Sequence, residues 1–313
     1  MRTRAYVGAL LLLLGCSEWR GVVSDTEATL LGMWGPTPDD VWAVGQELGP
    51  LAIGQVGRFV HWDGRSWTQM DQVDRPLNTI HGTAHDDIWA GGAGKLLLHF
   101  DGSTWQPVSL PDELPPLDIK AIRALARDNV WIGVEQPQVS TEGRENFRGP
   151  SLLHWDGASW TSTTLRDEED DVTGASSLAF VSPSDGWAGG VGALFRWDGT
   201  TWNRLEPVAY WVALWAVSST DVWAASFSGE LAHFDGSGWS STLAPTSREL
   251  KALWGASSDE IWAVGDTGTL LRWDGSSWER TPSGTNANLG AIHGFSADDV
   301  WIGGQYGVIR HHP

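Results

Sequence analysis

The chain has 313 residues and a formal net charge of −19, with 39 acidic against 20 basic side chains. An acidic surface repels DNA, RNA and anionic lipid headgroups, so the charge argues against nucleic acid as a partner. Hydrophobic residues make up 41% of the chain, which supports a sizeable core, and 22 tryptophans against 3 tyrosines indicate that a repeated element uses tryptophan.

The N-terminus has the pattern of an export signal. Arg2 and Arg4 precede an apolar run, Tyr6–Leu14, that is too short to span a bilayer as a helix. The run closes with the letters LLGC, which resemble a bacterial lipobox. The resemblance implies a signal peptide over residues 1–15 and a lipid on Cys16; a plain secretory signal with an incidental cysteine is the alternative. Cys16 is the only cysteine, so no intramolecular disulfide is possible.

Beyond residue 30 the sequence repeats itself. Leu77–Pro107 reads LNTIHGTAHDDIWAGGAGKLLLHFDGSTWQP and Leu250–Arg280 reads LKALWGASSDEIWAVGDTGTLLRWDGSSWER. The first recurring mark is the tryptophan of DVWAVG-like segments: Trp42, Trp89, Trp131, Trp187, Trp223, Trp262 and Trp301. The second is the aromatic before Asp-Gly: Trp62, Phe100, Trp155, Trp197, Phe234 and Trp273. The third lies five residues later: Trp67, Trp105, Trp160, Trp202, Trp239 and Trp278.

Each unit has the pattern of four short strands joined by Ser/Asp, Gly and Asp-Gly turns, without helical periodicity. Seven such units of about 40 residues predict an all-β, seven-bladed β-propeller. The tryptophans are expected to fill the widening gaps between blades. One well-buried tryptophan hides ~200 Å², worth ~5 kcal/mol of transfer free energy before entropy is subtracted.

The seventh unit lacks a fourth strand, and we place His311 where its third-strand aromatic is expected. The N-terminal letters SEWRGVV resemble the fourth strand SSWERTP. Trp19 precedes Trp34 by 15 residues, the same separation as between Trp278 and His293. The sequence therefore predicts a single domain over residues 16–313, whose ring is closed by an N-terminal strand that completes the last blade.

The repeats resemble BNR/Asp-box-like propellers, and among them the Trp-rich repeat lipoproteins of bacteria, from Trp19 to the C-terminus. The strict Ser-x-Asp-x-Gly-x-x-Trp spacing of the Asp-box is absent, and the nearest form is FDGSTW. The resemblance implies an exported, lipid-anchored monomer in the cell envelope. Ser17 after the cysteine favours the outer membrane, on its periplasmic or its surface side.

Strand direction divides the turns of such a ring between two faces. The first-to-second and third-to-fourth turns define a short-turn face. The second-to-third turns and the blade-to-blade links define a loop-rich face, where the long segments Gly45–Gly57 and Val134–Ser151 fall. Binding tends to use variable loops on a rigid scaffold. The second segment contributes candidate ligand-binding residues, namely Arg144, Phe147 and Arg148, and its FRGP letters are similar to a sialidase motif.

One position of the first strand, here called the channel position, varies in kind. It is occupied by Trp34, His81, Arg123, Ala179, Trp215, Trp254 and His293. Two residues earlier the side chain is always small, which suits a crowded axis. Trp34, His81, Arg123, Trp215, Trp254 and His293 are therefore candidates for binding a ligand in the central channel. Packing between blades is the alternative role for the same side chains.

The sequence shows no catalytic or metal-binding constellation. Histidine and arginine interchange before the third-strand aromatic, which indicates a structural cation and not a metal ligand. The acidic run Asp167–Asp171 is interpreted as a solvated loop, with Ca²⁺ binding or paired carboxylates as the alternative. We therefore predict a non-enzymatic binding or scaffold protein for an envelope protein or glycan, with no cofactor. A glycan-active enzyme with its site on the loop-rich face is the alternative.

Overall fold

The structure, a computed structural model, describes residues 19–49, 54–70, 72–136, 149–166, 171–190, 192–205, 211–242 and 244–313. Within these residues the chain forms seven four-stranded antiparallel sheets and one two-stranded hairpin. The sheets are the blades of a propeller, as the repeats predict. The predicted signal peptide, Cys16, Arg144, Phe147 and Arg148 lie outside the described residues.

The strands of each blade follow one another from the axis outward. The first strands of blades 1 to 7 are Thr29–Thr37, Leu77–Ala84, Asp118–Ala126, Ser177–Ser182, Trp211–Ser218, Leu250–Ser257 and Leu289–Ser296. The second strands are Asp40–Leu48, Asp87–Gly92, Asn129–Glu135, Asp185–Gly190, Asp221–Ser226, Glu260–Gly265 and Asp299–Gly304. The third strands are Gln55–Trp62, Leu97–Phe100, Leu152–Trp155, Ala193–Trp197, Leu231–Phe234, Thr269–Trp273 and Ile309–His312. The fourth strands are Trp67–Gln69, Trp105–Pro107, Trp160–Thr163, Trp202–Leu205, Trp239–Thr242, Trp278–Arg280 and Arg20–Val22.

The ring is closed by the N-terminal strand. Arg20–Val22 pairs antiparallel with Ile309–His312, in the register Arg20 opposite His311 and Val22 opposite Ile309. Trp19, directly before this strand, is only 2% exposed. The pairing covers the outer edge of the last C-terminal strand, which would otherwise present unpaired N–H and C=O groups. The predicted closure is confirmed.

Tryptophan pairs join every blade to the blade before it. In each junction the fourth-strand tryptophan meets the second-strand tryptophan of the preceding blade edge to face, with ring centroids 5.3–6.4 Å apart and interplanar angles of 76–85°. The pairs are Trp67–Trp301, Trp105–Trp42, Trp160–Trp89, Trp202–Trp131, Trp239–Trp187, Trp278–Trp223 and Trp19–Trp262. Edge-to-face geometry suits the aromatic quadrupole. The tryptophan repeat is thus a repeat of blade junctions.

Asp-Gly turns link the third and fourth strands on the short-turn face. In blade 5 the Asp235 carboxylate accepts the N–H groups of Ser237 and Gly238, at 2.8 and 3.0 Å. Hydrogen bonds from the Ser237 hydroxyl and these N–H groups lower the pKa of Asp235 to about 2. Gly236 has φ +91°, a conformation that L side chains rarely adopt. The residue pair Asp-Gly therefore determines this turn.

The placement of His311 is wrong by one residue. Trp301 lies opposite His311, and Val300 lies opposite His312, so His312 occupies the third-strand aromatic position. The turn between the second and third strands, Gln305–Gly307, has the same three-residue length as Asp266–Gly268 in blade 6. The third strand of blade 7 therefore keeps the spacing of blade 6, which puts the aromatic position at His312. His311 instead takes the histidine/arginine position.

The loop-rich face holds more regular structure than the sequence indicates. The long segment of blade 1 begins as an extension of its second and third strands, paired as far as Leu48 opposite Gln55. After blade 3, Leu165–Arg166 pairs antiparallel with Val172–Thr173. In the part of the chain that the structure describes, no helix has the length and hydropathy needed to cross a bilayer.

Candidate functional site: the central channel and the loop-rich face

The first strands of all seven blades line a central cavity of about 200 Å³. The small residues at the predicted axial position all border it: Gly32, Thr79, Ala121, Ser177, Ala213, Ala252 and Ala291. Six occupants of the channel position border it as well: Trp34, His81, Arg123, Trp215, Trp254 and His293. The structure therefore brings these six sequence-derived candidates together. The channel position lies towards the end of each first strand, on the short-turn side.

The tryptophans at the channel position pack on glycines of the following blade. A Cβ atom added to Gly82 would lie 2.8 Å from the Trp34 ring, and one added to Gly294 would lie 2.7 Å from the Trp254 ring. Gly255 has the same relation to Trp215, at 3.1 Å. These contacts are packing contacts between blades, the alternative role that the sequence leaves open for these side chains. The tryptophans therefore line the channel and also pack between neighbouring blades.

The two histidines also reach across blade junctions. Nδ1 of His81 accepts the N–H of Ala124 at 3.2 Å, and Nε2 of His293 donates to the carbonyl oxygen of Gly35 at 3.1 Å. Between them lies Trp34, whose ring centroid is 5.8 Å from that of His81 and 6.4 Å from that of His293. The bond to Ala124 leaves the neutral His81 with its proton on Nε2.

Arg123 is the exception in this ring. Its guanidinium donates to the carbonyl oxygen of Ile122 at 3.1 Å, and no carboxylate of the described residues forms an ion pair with it. Burial lowers the pKa of Arg123 to about 10. A half-buried guanidinium with a single main-chain acceptor among the described residues has unused donors and no charge partner there.

The charge of Arg123 also governs its neighbours. Burial, followed by repulsion from Arg123, lowers the pKa of His81 well below its usual value. Burial chiefly lowers the pKa of His293 to about 4, with Arg123 adding to the effect, while the Gly35 carbonyl and Asp299 oppose it. Both histidines are therefore neutral at pH 7, and Arg123 carries the one formal charge among these three side chains.

A carboxyl pair that the sequence analysis missed lies near the loop-rich end of the channel. Asp118 and Glu135 face each other across the first and second strands of blade 3. Burial, and secondarily the Asp118 charge, raises the pKa of Glu135, while Lys120 opposes the shift. Nζ of Lys120 lies 3.6 Å from the Asp118 carboxylate. Only the strand register, which pairs these two positions, brings the acids together.

The loop-rich face carries most of the exposed large hydrophobic side chains. Among the described residues these are Val23, Leu48, Met70, Phe227 and Tyr306. Each follows or ends a second or fourth strand, and such strands run towards the loop-rich face. Val181, 41% exposed near the end of a first strand, lies towards the short-turn face. The two faces thus differ in hydrophobic exposure as well as in loop length.

The histidine/arginine position is structural, as the sequence predicts. In blade 2, His99 lies 2.8 Å from the Asp87 carboxylate and its ring centroid lies 4.4 Å from that of Trp89. In blade 4, Arg196 bonds to Asp185 and lies over the Trp187 ring. No group of three or more potential metal ligands occurs within the described residues.

The fold and this site define a closed, seven-bladed β-propeller with a cationic group in its channel. No protein family and no curated protein sequence matches the chain. Solved structures of propellers are similar to it. A structure of YCF48 bound to D1 peptide is 20% identical, covers 96% of this chain and 98% of that chain, and has a TM-score of 0.70. YCF48 from Cyanidioschyzon merolae is 15% identical, covers 95% of this chain and 99% of that chain, and has a TM-score of 0.64. The WD40 β-propeller domain of Doa1 is 10% identical, covers 93% and 94%, and has a TM-score of 0.65. At these identities the likeness shows the fold alone.

Proposed function

We propose that this chain is a non-enzymatic, membrane-anchored scaffold that binds a protein partner through its loop-rich face. The observation that carries the proposal is the one-sided hydrophobic exposure. Phe227 is 60% exposed and Tyr306 76% exposed, and both follow second strands that end at this face. Exposed aromatic side chains are enriched where proteins contact proteins.

Backbone conformation at the same face supports this function. Lys95, Thr267 and Tyr306 have φ of +66°, +57° and +59°, and all three lie in second-to-third-strand turns. Such conformations cost free energy in residues other than glycine, and they cluster at binding sites in proteins generally. Tyr306 combines the strained backbone with the large exposed ring. The YCF48 structure with bound D1 peptide offers an analogy for a propeller of this size that binds a peptide.

The proposed anchor is Cys16, in the outer membrane. Fourth strands run from the short-turn face to the loop-rich face, so Trp19 lies at the short-turn end of the strand Arg20–Val22. Two residues separate Cys16 from Trp19, so the three Cα–Cα steps between them reach at most ~10 Å. A lipid on Cys16 would hold the short-turn face close to the bilayer. The loop-rich face would then point towards partners.

Site-specific photocrosslinking in intact envelopes tests the binding face. A benzoylphenylalanine replaces Phe227 in one variant and Val181, on the opposite face, in the matched control. We expect a discrete protein adduct from position 227 that is lost when Tyr306→Ser and Leu48→Ser are added, and none from position 181. Adducts of equal yield from both positions would show non-selective contact and contradict the proposal.

A glycan-active enzyme is the second candidate, and the Asp118–Glu135 pair is the observation that favours it. A protonated carboxyl beside an ionised one is the arrangement that glycoside hydrolysis requires. The raised pKa of Glu135 fits the acid of such a pair. Incubation with a panel of envelope glycans, using wild type and Glu135→Gln, tests this role. Hydrolysis by wild type that is lost in Glu135→Gln would replace the scaffold proposal.

A further inference from the structure

We propose that the central channel is a binding site for a carboxylate ligand, with the Arg123 guanidinium as its anchor. This inference concerns the short-turn end of the channel and does not depend on the protein-binding role of the loop-rich face. Three observations carry it: the guanidinium without a charge partner, the two neutral histidines of the same channel, and the division of the ring of first strands into a more polar and a more apolar side.

The first step is the charge balance of the cavity. Arg123 borders the cavity, donates only to the Ile122 carbonyl, and has no carboxylate partner among the described residues. Removing a charge from water costs free energy unless a partner replaces the solvent. The chain has 39 acidic side chains, yet none of those that the structure describes forms an ion pair with this cation. A monoanion in the channel supplies the missing charge, and a planar guanidinium matches a carboxylate with two parallel hydrogen bonds.

The second step is the donor set around Arg123. The Nε2–H of neutral His81 has no acceptor among the described residues, because Nδ1 is the atom bonded to Ala124. His81 on blade 2 neighbours Arg123 on blade 3, and the two groups are close enough to repel each other when charged. Together they supply a charged fork and a neutral N–H donor. A carboxylate accepts from both types of donor through its two oxygens.

The third step is the asymmetry of the ring. Polar side chains occupy the channel position in blades 7, 2 and 3, namely the neutral His293 and His81 and the charged Arg123, with Trp34 of blade 1 between the two histidines. Trp215 and Trp254 occupy it in blades 5 and 6, with ring centroids 6.1 Å apart. Between the two sides, blade 4 has only Ala179, next to Arg123. A ligand with a carboxylate head and a short apolar tail matches this arrangement. The volume of about 200 Å³ restricts it to a small molecule or to one end of a larger one.

Isothermal titration calorimetry of the wild-type protein with sodium butyrate at pH 7.5 tests the site. We expect saturable one-to-one binding that weakens at least tenfold in Arg123→Gln. The matched control is Arg127→Gln, which removes a positive charge from the same blade at an exposed ion pair with Asp86. Its affinity should equal that of wild type. Arg123→Lys keeps the charge and loses the fork, so we expect intermediate affinity; far-UV circular dichroism checks that each variant is folded.

Each result of this experiment has a consequence. Absence of saturable butyrate binding by folded wild type overturns the proposal. So does equal weakening in Arg123→Gln and Arg127→Gln, because it would show a response to net charge alone. Inorganic phosphate that binds more tightly than butyrate, with the same dependence on Arg123, would overturn the carboxylate assignment. A second probe, 4-phenylbutyrate, tests whether the site binds only a small acid or also the carboxylate end of a larger ligand. Tighter binding than that of butyrate supports contact of the apolar tail with Trp215 and Trp254. Weaker binding contradicts this contact.

Discussion

Trp19 meets Trp262 edge to face, with ring centroids 5.3 Å apart and an interplanar angle of 81°. The two residues are separated by most of the chain, yet their geometry repeats that of the other six junctions, five of which join residues much closer in sequence. The His312 ring completes the contact, at 5.3 Å from Trp19 and 5.8 Å from Trp262. The N-terminal residue of the described chain thus serves as the last inter-blade tryptophan of the ring.

Replacing Trp19 by alanine should lower the free energy of unfolding by ~3–5 kcal/mol, as for other buried aromatic residues. The side chain is 2% exposed, so the surrounding blades cannot easily fill the space that it leaves. Urea titration followed by circular dichroism measures the change. Val23→Ala, 83% exposed and four residues further on, is the matched control and should have little effect. An unchanged midpoint for Trp19→Ala would mean that the N-terminal segment is only a tether.

Deleting residues 17–23 should open the ring and promote aggregation. The deletion removes the strand Arg20–Val22 and exposes the edge of Ile309–His312, whose N–H and C=O groups can then pair with another molecule. Light scattering after size-exclusion chromatography measures association. A synthetic peptide with the sequence of residues 17–23, added in excess, should restore the monomer. A deletion variant that stays monomeric without the peptide contradicts the role of this strand.

The repeats predict the blades because each blade is a local unit with its own turns. Asp235 and Gly236 determine one hairpin through side-chain acceptors and positive φ, independently of the rest of the ring. Closure is predictable too, since Trp19 keeps the spacing of the repeat. The Asp118–Glu135 pair and the isolation of Arg123 are not, because both depend on which side chains neighbouring strands supply. Nothing in the letters RAL distinguishes Arg123 from a paired arginine.

The third-to-fourth-strand turn of blade 5 offers a matched pair of glycines. Gly236→Ala should lower stability by ~1–3 kcal/mol, because φ is +91° and the new Cβ would lie 2.8 Å from the Thr220 side chain. Gly238→Ala, two residues later, meets no atom within 4 Å and should be nearly neutral. Thermal unfolding of both variants gives the comparison. Equal effects would show that backbone conformation does not determine this turn.

Stability should fall as the pH is lowered from 7 to 5. The pKa of His293 is about 4 in the folded protein against about 6.5 for an unperturbed histidine. Between these values the unfolded chain binds more protons than the folded one, so stability declines as pH drops; the contribution of His293 is about 1–2 kcal/mol. His293→Gln should flatten the dependence of the unfolding midpoint on pH in this range. An unchanged slope contradicts the assignment.

The lipid anchor predicts the orientation of the ring on a membrane. If Cys16 carries the lipid, Cys16→Ser should release the protein from the membrane fraction, because the substitution removes the proposed attachment to the bilayer. A Cys16→Ser variant that stays in the membrane with its signal cut normally would show that the lipobox interpretation is wrong.

On lipid vesicles bearing the wild-type protein, added protease should cut within residues 136–149 of the loop-rich face. It should spare the short turns near Asp86 and Asp298, because the two-residue connection between Cys16 and Trp19 would hold that face within ~10 Å of the bilayer. Lipid-free protein is the control, in which both faces are equally accessible to the protease.

Shortening Gly45–Gly57 and Val134–Ser151 to the length of their counterparts should leave the unfolding midpoint nearly unchanged, because surface loops contribute little to the core. The same change should abolish the crosslink from position 227. Cleavage of the short turns before the long loops on vesicles would invert the orientation and remove the basis for a binding face directed away from the membrane.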